Sequence, residues 1–222
     1  MKLKAIVIGA TGLIGKAVVT ALLKDDLYTE VKVFVRRTTG VTHPKLKEII
    51  TNFDALEEHK NEITGDVLFS TLGTTIKTAG SKEVQYKIDF GYQFNFAKIA
   101  AENGVKNLVL LSSIGADANS KIFYSKMKGE LDEAVQKLNF AHISILRPSM
   151  LEGDRTEFRW MEKVFTPIMK AVVIVPCWKK YRPIKDYILA SAMLKAVHAT
   201  NNACTIYESN MVFLLADSKQ TV

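Results

Sequence analysis

A chain of 222 residues, 48% hydrophobic and 24% charged, can bury one full core and is neither disordered nor low-complexity in composition. Its formal charge of +7 is scattered, with one mild cluster at Lys179, Lys180, Arg182 and Lys185 and no basic stripe interleaved with aromatics, so nucleic acid is excluded as a partner. Cys177 and Cys204, and His43, His59, His142 and His198, fall in no metal or redox spacing, so reduced thiols and no metal site are expected.

The first apolar run, "MKLKAIVIGATGLIGKAVVTALL", has two lysines before it, as a secretion signal would. Gly9, Thr11, Gly12 and Gly15 interrupt it, and no cleavage-like site follows. "AVVIVPCW" near residue 175 is too short to span a bilayer, so a cytoplasmic protein with no membrane partner is expected.

In chain order, "LKAIVI" (3–8) reads as a buried strand and "LIGKAVVTALLK" (13–24) as a helix. "VKVFV" (31–35), "LKEII" (46–50) and "DVLFS" (66–70) read as strands, the last followed by a loop rich in Thr and Gly. Residues 84–102 read as a helix stopped by Gly104. "NLVLLSS" (107–113) is a strand, about 124–138 a helix, and "HISILR" (142–147) a strand. Continuous apolar strands alternating with helices predict a parallel sheet covered on both faces. Right-handed crossovers then give an α/β, doubly wound dinucleotide-binding (Rossmann) arrangement.

After Pro148 the alternation stops. Residues 149–183 hold three of the five prolines and read as a loop-rich lid. Residues 184–199 read as a final helix, and "TIYE" and "MVFLL" as strands. The whole chain, 1–222, is thus expected to be one domain, with 149–222 as a short lid on the substrate side. Trp160 and Trp178 are candidates for lining a pocket or for packing beneath it.

"IVIGATGLIG" places Gly9, Gly12 and Gly15 between the first strand and the first helix. In that context the first glycine permits a tight turn, the second a close approach of backbone to pyrophosphate, and the third close helix–sheet packing. The helix N-terminus adds free N–H groups and a favourable dipole. The Gly-x-x-Gly-x-x-Gly spacing is similar to that of the extended and atypical short-chain dehydrogenase/reductases. Thr11, Leu13 and Ile14 belong to the same cofactor-binding loop.

An NAD site wants a carboxylate at the end of the second strand to accept from the ribose hydroxyls. Here the strand ends "VFVRR". Arg36 and Arg37 suit the 2′-phosphate of NADP, which guanidinium forks bind bidentately, so NADP(H) is expected over NAD(H). After the third strand, Asn52 stands where an adenine-reading Asp is common.

Tyr-x-x-x-Lys occurs three times: Tyr28/Lys32, Tyr124/Lys128 and Tyr181/Lys185. Lys32 falls in a strand, so the first pair is expected to point in unrelated directions. Pro183 interrupts the third. Tyr124 and Lys128 share one face of a predicted helix that follows a strand carrying Ser112 and Ser113. Carbonyl reduction needs a proton for the developing alkoxide. A phenol of ordinary pKa about 10 serves better beside an ammonium, and a serine hydroxyl can orient the substrate oxygen.

"GATGLIG", "STLGTTIKTAG", "LVLLSSIGAD", "YSKMKGE" and "ILRPSMLEGDR", over roughly residues 4 to 160, resemble the Tat-interacting oxidoreductase family, an atypical, NmrA/epimerase-like short-chain dehydrogenase/reductase group. The resemblance implies an NADPH-binding Rossmann fold with Tyr124 as proton donor and acceptor and Lys128 beside it. It places the supporting serine at Ser112, with Ser113 equally reachable. It further implies cofactor contacts from Arg36, Arg37, Leu72, Gly73, Leu151 and Arg159. The expected function is an NADPH-dependent oxidoreductase acting on a small carbonyl or related small-molecule substrate, as a monomer or homodimer. The alternatives are a non-catalytic NADP(H)-binding redox sensor that contacts a partner protein, and, ranked low, a nucleotide-sugar epimerase or dehydratase.

Overall fold

The computed structural model describes residues 2–152, 182–199 and 202–218. Seven strands form one parallel sheet: β1 (Leu3–Ile8), β2 (Tyr28–Val35), β3 (Leu46–Ile50), β4 (Val67–Ser70), β5 (Asn107–Leu111), β6 (His142–Arg147) and β9 (Cys204–Glu208). Their spatial order is β3-β2-β1-β4-β5-β6-β9. The chain runs outward from β1 to β3, then restarts at β4 on the other side of β1. That reversal opens a crevice beyond the carboxyl ends of β1 and β4, where doubly wound sheets bind ligands.

Strand alternation explains why the predicted strands are apolar without a break. On β1, Ala5 and Val7 join one core layer and Ile6 and Ile8 the other. β4 splits the same way, Val67 and Phe69 against Leu68. The first layer packs under α1 (Leu13–Lys24), α6 (Asp186–Ala196) and α7 (Ser209–Asp217). The second lies under α4 (Gln93–Glu102) and α5 (Phe123–Val135). Two covered faces bury the inner positions of β1 and β4, while polar residues stand at the strand starts and on the edge strand β3.

Two short helices, α2 (Ile76–Ala79) and α3 (Lys82–Tyr86), follow β4. Thr75 and Ser81 cap them, each accepting a hydrogen bond from a first-turn N–H. A π-helical turn, Lys87–Tyr92, joins α3 to α4, so the predicted helix of 84–102 begins at Lys82 and carries a bulge. Gly104 follows its end in a left-handed conformation, as the sequence implies.

Two readings of the C-terminal part change. The helix expected over 184–199 is α6 (Asp186–Ala196), preceded by β8 (Ile184–Lys185), which pairs with β7 (Leu151–Glu152). "TIYE" is indeed strand β9, but "MVFLL" is helical, within α7. Val212 and Leu215 are buried three residues apart while Met211 and Leu214 face out, which is the period of a helix. The apolar run was too short for periodicity alone to separate the two. Most of the expected lid, with Arg159, Trp160, Cys177, Trp178, Lys179, Lys180 and Tyr181, lies outside the described residues. Within the basic cluster that remains, Arg182 lies 3.5 Å over the Phe213 ring and Lys185 5.9 Å from that of Tyr187.

Candidate functional site

The glycine loop sits at the mouth of the crevice. Gly9 has a φ of 82°, and a Cβ on it would lie 2.5 Å from the Leu72 nitrogen and the Thr71 carbonyl carbon. A Cβ on Gly15 would lie 2.0 Å from the Gly9 oxygen. The loops after β1 and β4 therefore touch backbone to backbone, and Thr71 locks them by donating its hydroxyl to the Ile8 carbonyl at 2.8 Å. Gly12 is the N-cap of α1 and offers no side-chain cap. The first-turn N–H groups of Leu13, Ile14 and Gly15 are consequently left for an anion, so the loop fits a dinucleotide pyrophosphate. Gly15→Ala should cost about 2–3 kcal/mol of stability, since backbone rather than a pliable side chain must yield. Urea unfolding measures it; a loss below about 0.5 kcal/mol would mean the turn relaxes freely.

Arg36 and Arg37 directly follow β2 and are exposed. Glu48 on β3 braces the loop behind them, accepting from the Thr38 hydroxyl at 2.7 Å, the Thr39 N–H at 2.9 Å, and the Thr39 hydroxyl. The hydrogen bonds, that from Thr39 foremost, hold its carboxyl below the usual range despite some desolvation. No Asp or Glu stands at the end of β2 itself. Asn52 accepts from the Asp54 N–H at 3.0 Å, and Phe53 beside it is buried against Tyr92 and Phe96.

Of the three Tyr/Lys pairs, Tyr181 lies outside the described residues. Tyr28 and Lys32 are both on β2, about 13 Å apart at ~3.3 Å per residue, and the register shift after Tyr28 turns them to opposite faces, Tyr28 into the layer of Val31 and Val33 and Lys32 away from it, as expected. Tyr28 is buried, and Lys32 bonds the Glu62 and Thr64 carbonyls. Tyr124 and Lys128 lie one turn apart at the start of α5, as expected. Tyr124 is 42% exposed, whereas Lys128 is 4% exposed and donates to the Leu111 carbonyl at the end of β5 at 3.0 Å. The next residue, Gly129, lets the 117–118 backbone cross α5, for a Cβ there would meet the Ala118 nitrogen at 2.1 Å.

The two serines differ. Ser112 is buried and donates to Asp132 Oδ2 at 2.9 Å. Ser113 is partly exposed and donates to the Ile114 carbonyl at 3.3 Å. Asp132 also receives Arg147 Nε at 2.9 Å, and Arg147 reaches Glu208 at 3.1 Å, so one network ties α5 to β5, β6 and β9. Burial pushes the Asp132 carboxyl above its ordinary range, against the pull of Ser112, Arg147 and Lys128. Leu72, Gly73 and Leu151 all stand at this same edge, Leu72 and Leu151 half-buried and Gly73 exposed.

Sequence reasoning passed over three buried polar residues here: Asp132, Asp89 and Gln93. The last two occupy core-facing positions of an otherwise apolar helical pattern, which is the signal that could have found them. Among the described residues no cluster of His, Cys, Asp or Glu could hold a metal, and no helix is long and apolar enough to cross a membrane.

The crevice, the uncapped glycine turn and the seven-stranded parallel sheet define an NAD(P)-binding Rossmann-type domain. Residues 9–167 match the family model described as NAD(P)H-binding, and the chain belongs to that family. Its relatives include the proteins named fmp52, mitochondrial, of Emericella nidulans (37% identical over 164 residues, 71% of this chain and 70% of that protein) and of Saccharomyces cerevisiae (36% over 159 residues, 69% and 68%). The fold is shared with a short-chain dehydrogenase/reductase superfamily protein of Agrobacterium tumefaciens with bound NAD (TM-score 0.70, 14% identity, 92% of this chain and 76% of that one). It is shared too with the Bordetella bronchiseptica enzyme WbmH in complex with NAD+ (0.69, 15%, 94% and 76%).

These relatives overturn the expectation of a cytoplasmic protein, because relatives matching about 70% of the chain are named as mitochondrial. That expectation rested on the absence of a leader-like or membrane-spanning pattern, and an absence carries no address.

Proposed function

We propose that the chain is an NADPH-dependent oxidoreductase that moves a hydride between the nicotinamide and a small carbonyl or related substrate. The observation that carries this reading is the placement of Tyr124 and Lys128 on one turn of α5 at the carboxyl edge of the sheet, with the Lys128 ammonium fixed to the end of β5. The resemblance to the Tat-interacting oxidoreductases supports the same roles.

Bound NADPH supplies the hydride. Tyr124, exposed at the groove, gives the proton to the substrate oxygen. Lys128, one turn further along α5 and held to the end of β5, offers a donor toward the cofactor's ribose. Ser113, the more exposed serine, orients the substrate oxygen, while the hydroxyl of Ser112 braces α5 through Asp132. The N–H groups of Leu13, Ile14 and Gly15 hold the pyrophosphate. Arg36 and Arg37 take the 2′-phosphate, with Leu72, Gly73, Leu151 and Arg159 as further cofactor contacts.

Two measurements test this. Titration by nicotinamide fluorescence should give much tighter binding of NADPH than NADH, and Arg36→Ala with Arg37→Ala should weaken NADPH by about 100-fold, two charge-assisted contacts being lost. Equal affinity for both cofactors would remove the arginine assignment. A panel of aldehydes, ketones and quinones should then reveal NADPH oxidation, and silence across the panel would sink the enzymatic reading.

A further inference from the structure

The π-helical turn Lys87–Tyr92 puts one residue more into a helical turn than an α-helix holds, and such bulges cluster at functional sites. Here the turn serves a buried polar face. Gln85, Asp89 and Gln93 recur every four residues and are 3%, 2% and 1% exposed. Gln93 donates to the Asp89 carbonyl at 2.6 Å and accepts from the Ser70 hydroxyl, at the end of β4, at 2.7 Å. Asp89 Oδ1 accepts from the Thr74 N–H at 2.7 Å, and Gln85 Nε2 donates to the Thr74 carbonyl at 3.0 Å. Both peptide groups at Thr74 are thus held by one helix face.

The second carboxylate oxygen lies behind the loop's glycine. A Cβ on Gly73 would have Asp89 Oδ2, at 3.9 Å, as its one neighbour within 4 Å. That loop is in contact with the glycine turn through Gly9. An amide oxygen could accept from the Thr74 N–H as well as a carboxylate does, and a buried charge is costly. The charge therefore needs a reason of its own, and Lys128 on α5 supplies one. Among the described residues Lys128 is the charged group that bears on Asp89; the loop contributes the Thr74 N–H and its own helix the neutral Gln85. Glu130 on α5 is engaged by the Tyr86 hydroxyl at 3.0 Å.

We propose that Asp89 is the positioning residue of the site: its carboxylate holds the Leu72–Thr75 loop against the groove and supplies the counter-charge of Lys128. The proposal rests on reading that groove as the NADPH site. Burial raises the Asp89 carboxyl to about 6, with Lys128, the Thr74 N–H and Gln85 pulling it down, so its ionisation is observable under native conditions.

The test follows the Thr74 amide by NMR in the full chain from pH 4.5 to 8, in wild type, Asp89→Asn and Lys128→Met. In wild type the amide proton should titrate with a midpoint near that of Asp89, and in Asp89→Asn it should not. Removing the ammonium should move the midpoint up by about one pH unit. In parallel, NADPH binding should weaken by about 10-fold or more in Asp89→Ala, which frees the loop, and stay within about threefold in Asp89→Asn, which keeps the acceptor. A Thr74 amide that ignores pH in wild type overturns the hold on the loop. A midpoint unmoved by Lys128→Met overturns the counter-charge. Should wild type bind no NADPH, the functional reading falls, while the amide titration of the free protein still decides what Asp89 holds.

Discussion

Tyr124→Phe should lower hydride-transfer turnover by about 10²–10⁴-fold, the range for losing a positioned general acid, and leave NADPH affinity within about 10-fold. The hydroxyl at stake is on a side chain 42% exposed, at the start of α5. It makes no hydrogen bond to a described residue, so its removal breaks no packing, and thermal stability should stay within about 0.5 kcal/mol of wild type. The loss would then belong to the chemical step. The measurement is single-turnover NADPH oxidation with the carbonyl compound that the substrate panel identifies. Wild-type rates in the variant would take the proton-donor role from Tyr124. A loss of NADPH binding that parallels the loss of rate would make the tyrosine a binding residue.

The second large effect is on stability. Arg147→Met should destabilise the fold by about 3–5 kcal/mol, the cost of stranding a buried charge. Asp132 is 1% exposed, and its Oδ1 already lacks a partner, so Arg147 Nε and the Ser112 hydroxyl carry the compensation on Oδ2. The sign with pH follows from burial, which raises the Asp132 carboxyl in the folded state. A raised acid binds its proton more tightly folded than unfolded, so its contribution is fully present at low pH and lost as pH rises through the folded value. Without the guanidinium that value rises further. The destabilisation should therefore be larger at pH 8 than at pH 5, by urea unfolding at both. Adding Asp132→Leu should recover much of the loss. A loss under about 1 kcal/mol, equal at both pH values, would show that Asp132 is solvated rather than buried.

That network also bears on catalysis. Asp132 lies one turn beyond Lys128 on α5, and the helix is anchored to β5 through Ser112 and to β6 through Arg147. Tyr124 and Lys128 are carried by a helix whose angle these buried bonds set.

What the sequence determined by itself was local. Unbroken apolar strands, the glycine turn before α1, the absence of an acid after β2, and Tyr124 one helical turn before Lys128 were each legible, because strand and helix periods act within a few residues. The doubly wound sheet follows from that alternation, and the NAD(P)H-binding family was legible in the glycine turn. The helical state of "MVFLL" was not legible, since five apolar residues satisfy either period and the packing of α7 on α6 and β9 decided it. Nor was the difference between Ser112 and Ser113. Both are adjacent serines in sequence, and only Asp132 and Arg147, 20 and 35 residues further along the chain, draw the first one inward. Asp89 is the clearest case. In sequence it is one acid among 23 in a helical pattern. The fold buries it, turns it toward Thr74 through a π-helical turn and brings it within the electrostatic reach of Lys128. Burial and charge pairing are properties of neighbours brought together across the sheet, and tertiary structure alone supplies those neighbours.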